Sequence, residues 1–287
     1  MPWSIPTFLI TDRPQLSLTI SVDRTNLDVW AELGSPTLPA DVVLLINSNA
    51  DIRTMTMGNF HQDTIITFTL TANARIMGRG SKGGNGGETI PYGNNENQGQ
   101  DGNPGIAGDP ALTIPTAITV DLDMDLGFIY GGGGSGGGGG GTGGTDGNPN
   151  HNGGGGGGGA QGWDTNAGGA GGFESPSVRP GDAGTNGNQA GPGIGGNSGR
   201  LNQVPSEPLP NGKGGNGGTW GVAGDDGIDC FQFNPVPAGF NNNPGGAGGA
   251  GGASIQGVTA TVNYVGALTE IQLATDPAAL RGPRNVL

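Results

Sequence analysis

Asp121, Asp123 and Asp125 occupy alternate positions in DLDMDLG, the spacing of the first ligands of a calcium loop. The obligatory glycine of such a loop comes one position late, at Gly127, and its closing glutamate is replaced by Gly132, so the run reads as the solvated face of a strand. His61 and His151 are the two histidines, and neither has a partner at metal-ligating spacing. GKGG from Gly212 and GSKGG from Gly80 set a lysine among glycines. Neither continues with the Ser or Thr that a phosphate-cradling loop needs after its lysine. GxGxxG recurs throughout, but no copy follows a strand and opens a helix, as dinucleotide binding requires. With no convergent set of titratable groups, the expectation is a protein without catalytic activity, cofactor or metal.

Glycine and proline together make up about 30% of the 287 residues, a level at which low-complexity disorder is the default. The net charge of −13 opposes phosphate backbones and anionic membranes, so neither nucleic acid nor membrane insertion is expected. No stretch approaches 18 apolar residues, and MPWSIP lacks the basic and apolar regions of a secretory signal. One cysteine, Cys230, excludes an intrachain disulfide and reads as a free thiol in a loop.

Three groups of strands would have to position whatever the chain displays. LSLTI from Leu16, VVLLI from Val42 and TIITFTL from Thr64 are rich in β-branched and aromatic residues, with Ile66, Phe68 and Leu70 on one face. Ile118, Val120, Leu122, Met124, Leu126 and Phe128 alternate with Thr119, Asp121, Asp123, Asp125 and Gly127. That period of two predicts one strand with a buried apolar face and solvated aspartates. Val258 to Val265 is a third strand candidate, and the tail LATDPAALRGPRNVL reads as a short helix or an extended arm.

Between these strands glycine recurs every third residue, most clearly at Gly212, Gly215, Gly218, Gly221, Gly224 and Gly227. Three residues per turn is the period of polyproline II, which makes no internal hydrogen bonds. Many such helices side by side could satisfy one another's backbone groups. Run 212–227, if continuous, would extend roughly 47 Å. A collagen helix is the structural rival for GQDGNPGIAGDP, but the phase breaks every ten to twenty residues and many glycines are consecutive. The fold expected is therefore a mainly β N-terminal domain, 1–77, followed by a polyglycine II domain, 78–252, with an inserted strand at 112–130. A C-terminal strand and arm, 253–287, completes it, with little or no α-helix. Polar inserts between the runs carry Tyr92, Trp163, Phe173, Phe231, Phe233 and Phe240, which a flexible linker would not need.

The junction TANARIMGRGSKGGNGG, a strand entering a GRG-led glycine run, and the later MDLGFIYGGGGSGGGGGG resemble the glycine-rich distal tail-fibre adhesins of T-even-type bacteriophages and related siphophage tail-tip proteins. The resemblance covers about residues 64–252. It implies a protein made in the host cytoplasm and carried at the tail tip of the virion, attached to another tail protein through its N-terminal domain. It also implies that the loops joining packed polyglycine II helices contact a bacterial outer-membrane protein or surface glycan. On that reading the receptor-binding candidates are Tyr92, Asn94, His151, Phe173, Arg179, Phe231, Phe233, Phe240 and Asn242, since aromatic residues commonly anchor interfaces. If the runs go up and down, inserts 88–98, 145–152, 173–180 and 228–244 fall at the far end, with 163–167 and 197–211 nearer the virion. Two alternatives are a non-binding structural spacer of the tail and a polyglycine II ice-binding or matrix protein.

Overall fold

The computed structural model describes residues 13–88, 99–124, 127–141, 154–172, 180–198, 212–229, 243–257, 259–265, 280–281 and 284–285. Strands alternate between two parallel sheets as the chain coils. In the first sheet β1 (Gln15–Ile20), β3 (Asp41–Ile46), β5 (Ile65–Leu70), β8 (Thr119–Asp123) and β11 (Thr261–Val265) lie in that order. The second sheet contains β2 (Arg24–Asp28), β4 (Asp51–Thr56), β6 (Arg75–Met77), β7 (Leu112–Ile114), β9 (Phe128–Tyr130), β10 (Ile255–Gly257), β12 (Leu280–Arg281) and β13 (Arg284–Asn285). One four-residue helix, α1 (Val29–Glu32), capped by the Asp28 side chain, is the helical element among the described residues. Among the described residues the molecule is thus strand-rich with almost no helix.

The register stacks like on like. Val42 pairs with Ile66 and Leu44 with Phe68 on one side, and Ile66 with Val120 and Phe68 with Leu122 on the other. These side chains, with Ile52, Ile76, Ile129, Leu112 and Ile255 from the second sheet, form one buried core between the sheets. Asp41 pairs with Ile65 and Asp51 with Arg75, so one turn of the coil is 24 residues at that point. The corners repeat too: Asn49 and Asn73 take positive φ, 65° and 61°, each before a buried alanine, Ala50 or Ala74. Asparagine tolerates that conformation better than most residues. The next coil puts Gly127 in the alanine column, beside Ala74, where a Cβ would collide with Leu70.

This corner corrects the expectation of a single strand from Ile118 to Phe128. The stretch is β8 in the first sheet and β9 in the second. Ile118, Val120, Leu122 and Met124 are buried. At the corner the phase shifts by one, so that Ile129 is buried and Phe128 faces outward, stacked 5.6 Å from Tyr130. Asp121 and Asp123 are half-buried, and Asp121 accepts a hydrogen bond from Asn263 at 2.8 Å. Asp125 and Leu126 lie outside the described residues. Within the Val258–Val265 candidate the strand is β11, Thr261–Val265, in the first sheet, with β10 of the second sheet just before it, and the described residues of the tail are extended, not helical.

The glycine runs leave the second sheet at one point of successive coils. β6 pairs with the first half of β4 and β7 with the second half; β9 and β10 repeat this one layer on. Residues 78–111 and 131–254 are therefore two excursions from aligned breaks, and the sheet's hydrogen bonding continues into them. Gly78 donates to Tyr130 at 2.7 Å, and Leu112 to Ser254 at 3.1 Å.

Beyond the sheet, neighbouring segments bond through backbone groups every third residue. Segment 131–141 donates to 99–111 through Gly132, Ser135, Gly138 and Gly141, to 154–162 through Gly133, Gly136 and Gly139, and to 222–229 through Gly134, Gly137 and Gly140. It accepts from 78–88, 212–221 and 243–254. Six neighbours thus surround one segment. Segment 154–162 is enclosed in the same way, by 78–88, 131–141, 167–172, 181–187, 191–198 and 212–220. Over most of their length, 131–141 and 154–159, side chains have little room, and almost every Cβ added to a glycine there would strike a neighbouring carbonyl. Ser135 is tolerated because its Oγ accepts from the Ile106 N–H at 2.8 Å.

Two of the glycine runs turn back on themselves. The run 212–227 reverses at 219–222, where Val222 N–H donates to the Thr219 carbonyl and Gly221 takes φ 65°. The run 181–196 reverses at Asn188–Gly191, an antiparallel bridge closed by the Asn188 side chain accepting from Ala190. Neither run is the continuous rod that its glycine phase suggests.

Candidate functional site

The array has two ends. At the near end, beside the second sheet, three short turns rest on side chains of that sheet and of the segment that leaves β6. The Arg53 guanidinium lies 5.9 Å from the Trp163 ring centroid, and Arg79 pairs with Asp164 at 3.7 Å. Gln189 Nε2 reaches Met77 Sδ at 3.5 Å, and the rings of Trp220 and Tyr130 lie 5.7 Å apart. Insert 163–167 is at this end, where an up-and-down count puts it.

Ten described chain ends meet at the far end. Gln100 donates to Glu88, and Gly141 to Gln100; Gly154 donates to Gly87, and Gly172 to Gly154. Gly181 bonds to Gly172, Asp182 to Asn197, Gly155 to Gly212, and Gly212 to Asp229. Asn243 closes the set, its amide donating to the Gly141 carbonyl at 2.7 Å. These residues flank 89–98, 142–153, 173–179, 199–211 and 230–242.

Tyr92, Asn94, His151, Phe173, Arg179, Phe231, Phe233, Phe240 and Asn242 all fall in four of those five stretches, none in 199–211, and lie outside the described residues. Their flanking residues share one end. The count puts 197–211 at the same end as 163–167, and this is corrected: Asn197 and Gly212 are both at the far end, away from the second sheet. The count slipped because the turn at Asn188–Gly191 adds a reversal. Sequence reasoning set Trp163 among the insert aromatics but gave no role to Arg75 or Asn188, which share a cleft with it at the near end.

A strand-rich, nearly helix-free coil that carries an array packed through glycine backbones defines an architecture with little room for side-chain chemistry in its centre. The chain belongs to the phage tail fibre adhesin Gp38 family, whose model matches residues 15–270. It is similar to the solved structure described as the gp37-gp38 adhesin tip complex of the bacteriophage S16 long tail fiber. That likeness has 22% identity and a TM-score of 0.42, and it covers 88% of this chain and 79% of that one. No curated protein matches the chain. No helix among the described residues is long and apolar enough to cross a membrane.

Proposed function

We propose that this protein is the receptor-binding adhesin of a phage tail tip, engaging a bacterial outer-membrane protein or surface glycan through the five far-end stretches, without catalysis. The observation that supports this is the gathering of all ten flanking ends at the side of the array opposite the sheets. Stretches that are far apart in sequence are thereby offered to one partner together. In this reading the glycine segments are polyglycine II helices. Their period-three bonding and lack of side chains suit a stiff spacer, and a stiff spacer limits the ordering cost of binding. The two-sheet coil at the other end attaches the adhesin to another tail protein, which is where the N-terminal domain of the sequence reading acts.

Competition tests the proposal. Purified full-length chain, added to host cells before the parent phage, should reduce adsorption in a concentration-dependent way and leave an unrelated phage unaffected. Full adsorption at saturating protein would contradict it.

A further inference from the structure

We infer that the cleft where the array meets the second sheet is a binding site for a neutral oligosaccharide. The inference concerns the near end and does not rest on the far-end reading. The cleft has a volume of about 660 Å³ and is lined by Arg75, Trp163, Asp164, Thr165, Asn188 and Gln189, among others. It is broad and largely open to solvent, a shape that suits an extended ligand lying along the surface.

The lining selects a chemical class. Its charges are already paired: Arg75 makes two bonds of 2.7 Å to Asp51, and Asp164 accepts from the Thr165 N–H at 2.7 Å and faces Arg79. A phosphate or a metal cation would find no unbalanced charge to neutralise. What the cleft does offer is neutral polarity beside a flat ring. Asn188 Oδ1 is used by the amides of Ala190 and Gly191, which turns its Nδ2 donor to other partners; Thr165 adds a hydroxyl and Gln189 a carbonyl oxygen. Trp163 gives an apolar face on which the C–H side of a pyranose can pack. Its Nε1 is buried with no acceptor among the described residues.

The site is also rigid. Asn166 bridges to Gly187 and donates from its side chain to the carbonyls of Ala160 and Asp164, so the two turns that supply the lining are tied to each other and to the array. A preformed cleft loses little freedom on binding.

The test is calorimetric titration of the full chain with maltohexaose, with the hexamer of N-acetylglucosamine and with a heparin hexasaccharide as charged control. At least one neutral oligomer should bind. Trp163→Ala should weaken that binding at least tenfold. Because Trp163 also packs on Arg53, Thr165→Val serves as the second variant: it should weaken binding severalfold with an unchanged melting temperature. A chain with residues 230–242 replaced should bind the sugar as before, which separates this cleft from the far end. The inference is overturned if neither neutral oligomer binds, if the heparin fragment alone binds, if both cleft variants bind normally, or if the 230–242 replacement abolishes sugar binding.

Discussion

Gly157 and Gly136 are so close in the array that a Cβ on Gly157 would collide with the Gly136 carbonyl oxygen. The obstacle is backbone, held in turn by the bond from Gly136 to Gly158 at 3.0 Å, so no rotamer change can relieve it. Gly157→Ala should cost about 3 kcal/mol or more, at the upper end of what overpacking usually costs. Gly191→Ala is the control, since a Cβ there meets nothing within 4 Å; it should be neutral or stabilise by up to ~1 kcal/mol. Thermal melting of both variants decides this, and equal melting would show that the array does not pack as described.

Leu122 pairs with Phe68 and Tyr264 in the stacked core and is buried. Leu122→Asp should destabilise by about 4 kcal/mol or more, because a carboxylate would enter an apolar layer without a partner. Asp121→Ala, on the opposite face, loses one hydrogen bond to Asn263 and should cost no more than about 1 kcal/mol. Unchanged melting in Leu122→Asp would mean that this face is not core.

Gly221 holds φ at 65° in the turn that folds run 212–227 in half. Gly221→Val should cost about 1–2 kcal/mol from the left-handed backbone alone. If the run were instead a straight rod, Gly221 would take the negative φ of polyproline II and this backbone penalty would be absent.

The coil was legible in parts. Alternation in TIITFTL and TVDLD marked the core face, and the structure buries those residues. The 24-residue repeat was not read, although INSNADI and LTANARI carry the same Asn-Ala corner at 49–50 and 73–74. Aligning those two stretches would have exposed it. The strand 118–128 was overextended because apolar alternation continues through the corner, and a one-residue shortening there leaves no local signal. In the array the period of three was legible, and so, in retrospect, is the coordination. Segments with six neighbours are almost pure glycine, as in 131–141 and 154–159. The segment GKGGNGG from Gly212, with four neighbours, keeps two glycines in three, and GVAGDDG from Gly221, with three, keeps one in three. The fold-back at 219–222 was hidden because Gly218, Gly221 and Gly224 stay in phase across it.

If the segments are polyglycine II helices, hydrogen exchange should follow that coordination. Amides of 132–140 and 155–161, which are enclosed on all sides, should exchange most slowly in the array, and those of 182–187 and 222–227 faster. Uniformly unprotected glycine amides, with a random-coil circular dichroism spectrum, would refute the ordered array.

The most direct test exchanges the far-end stretch 230–242, with Phe231, Phe233 and Phe240 among its asparagines, for the corresponding residues of a related phage that infects a different host. The flanking Asp229 and Asn243 are retained, so the array's closing bonds to Gly212 and Gly141 are kept. The account predicts virions that assemble normally and adsorb to the donor phage's host with reduced adsorption to their own. Virions that fail to assemble while any that form keep the original host choice would contradict it, because the far end would then face the tail.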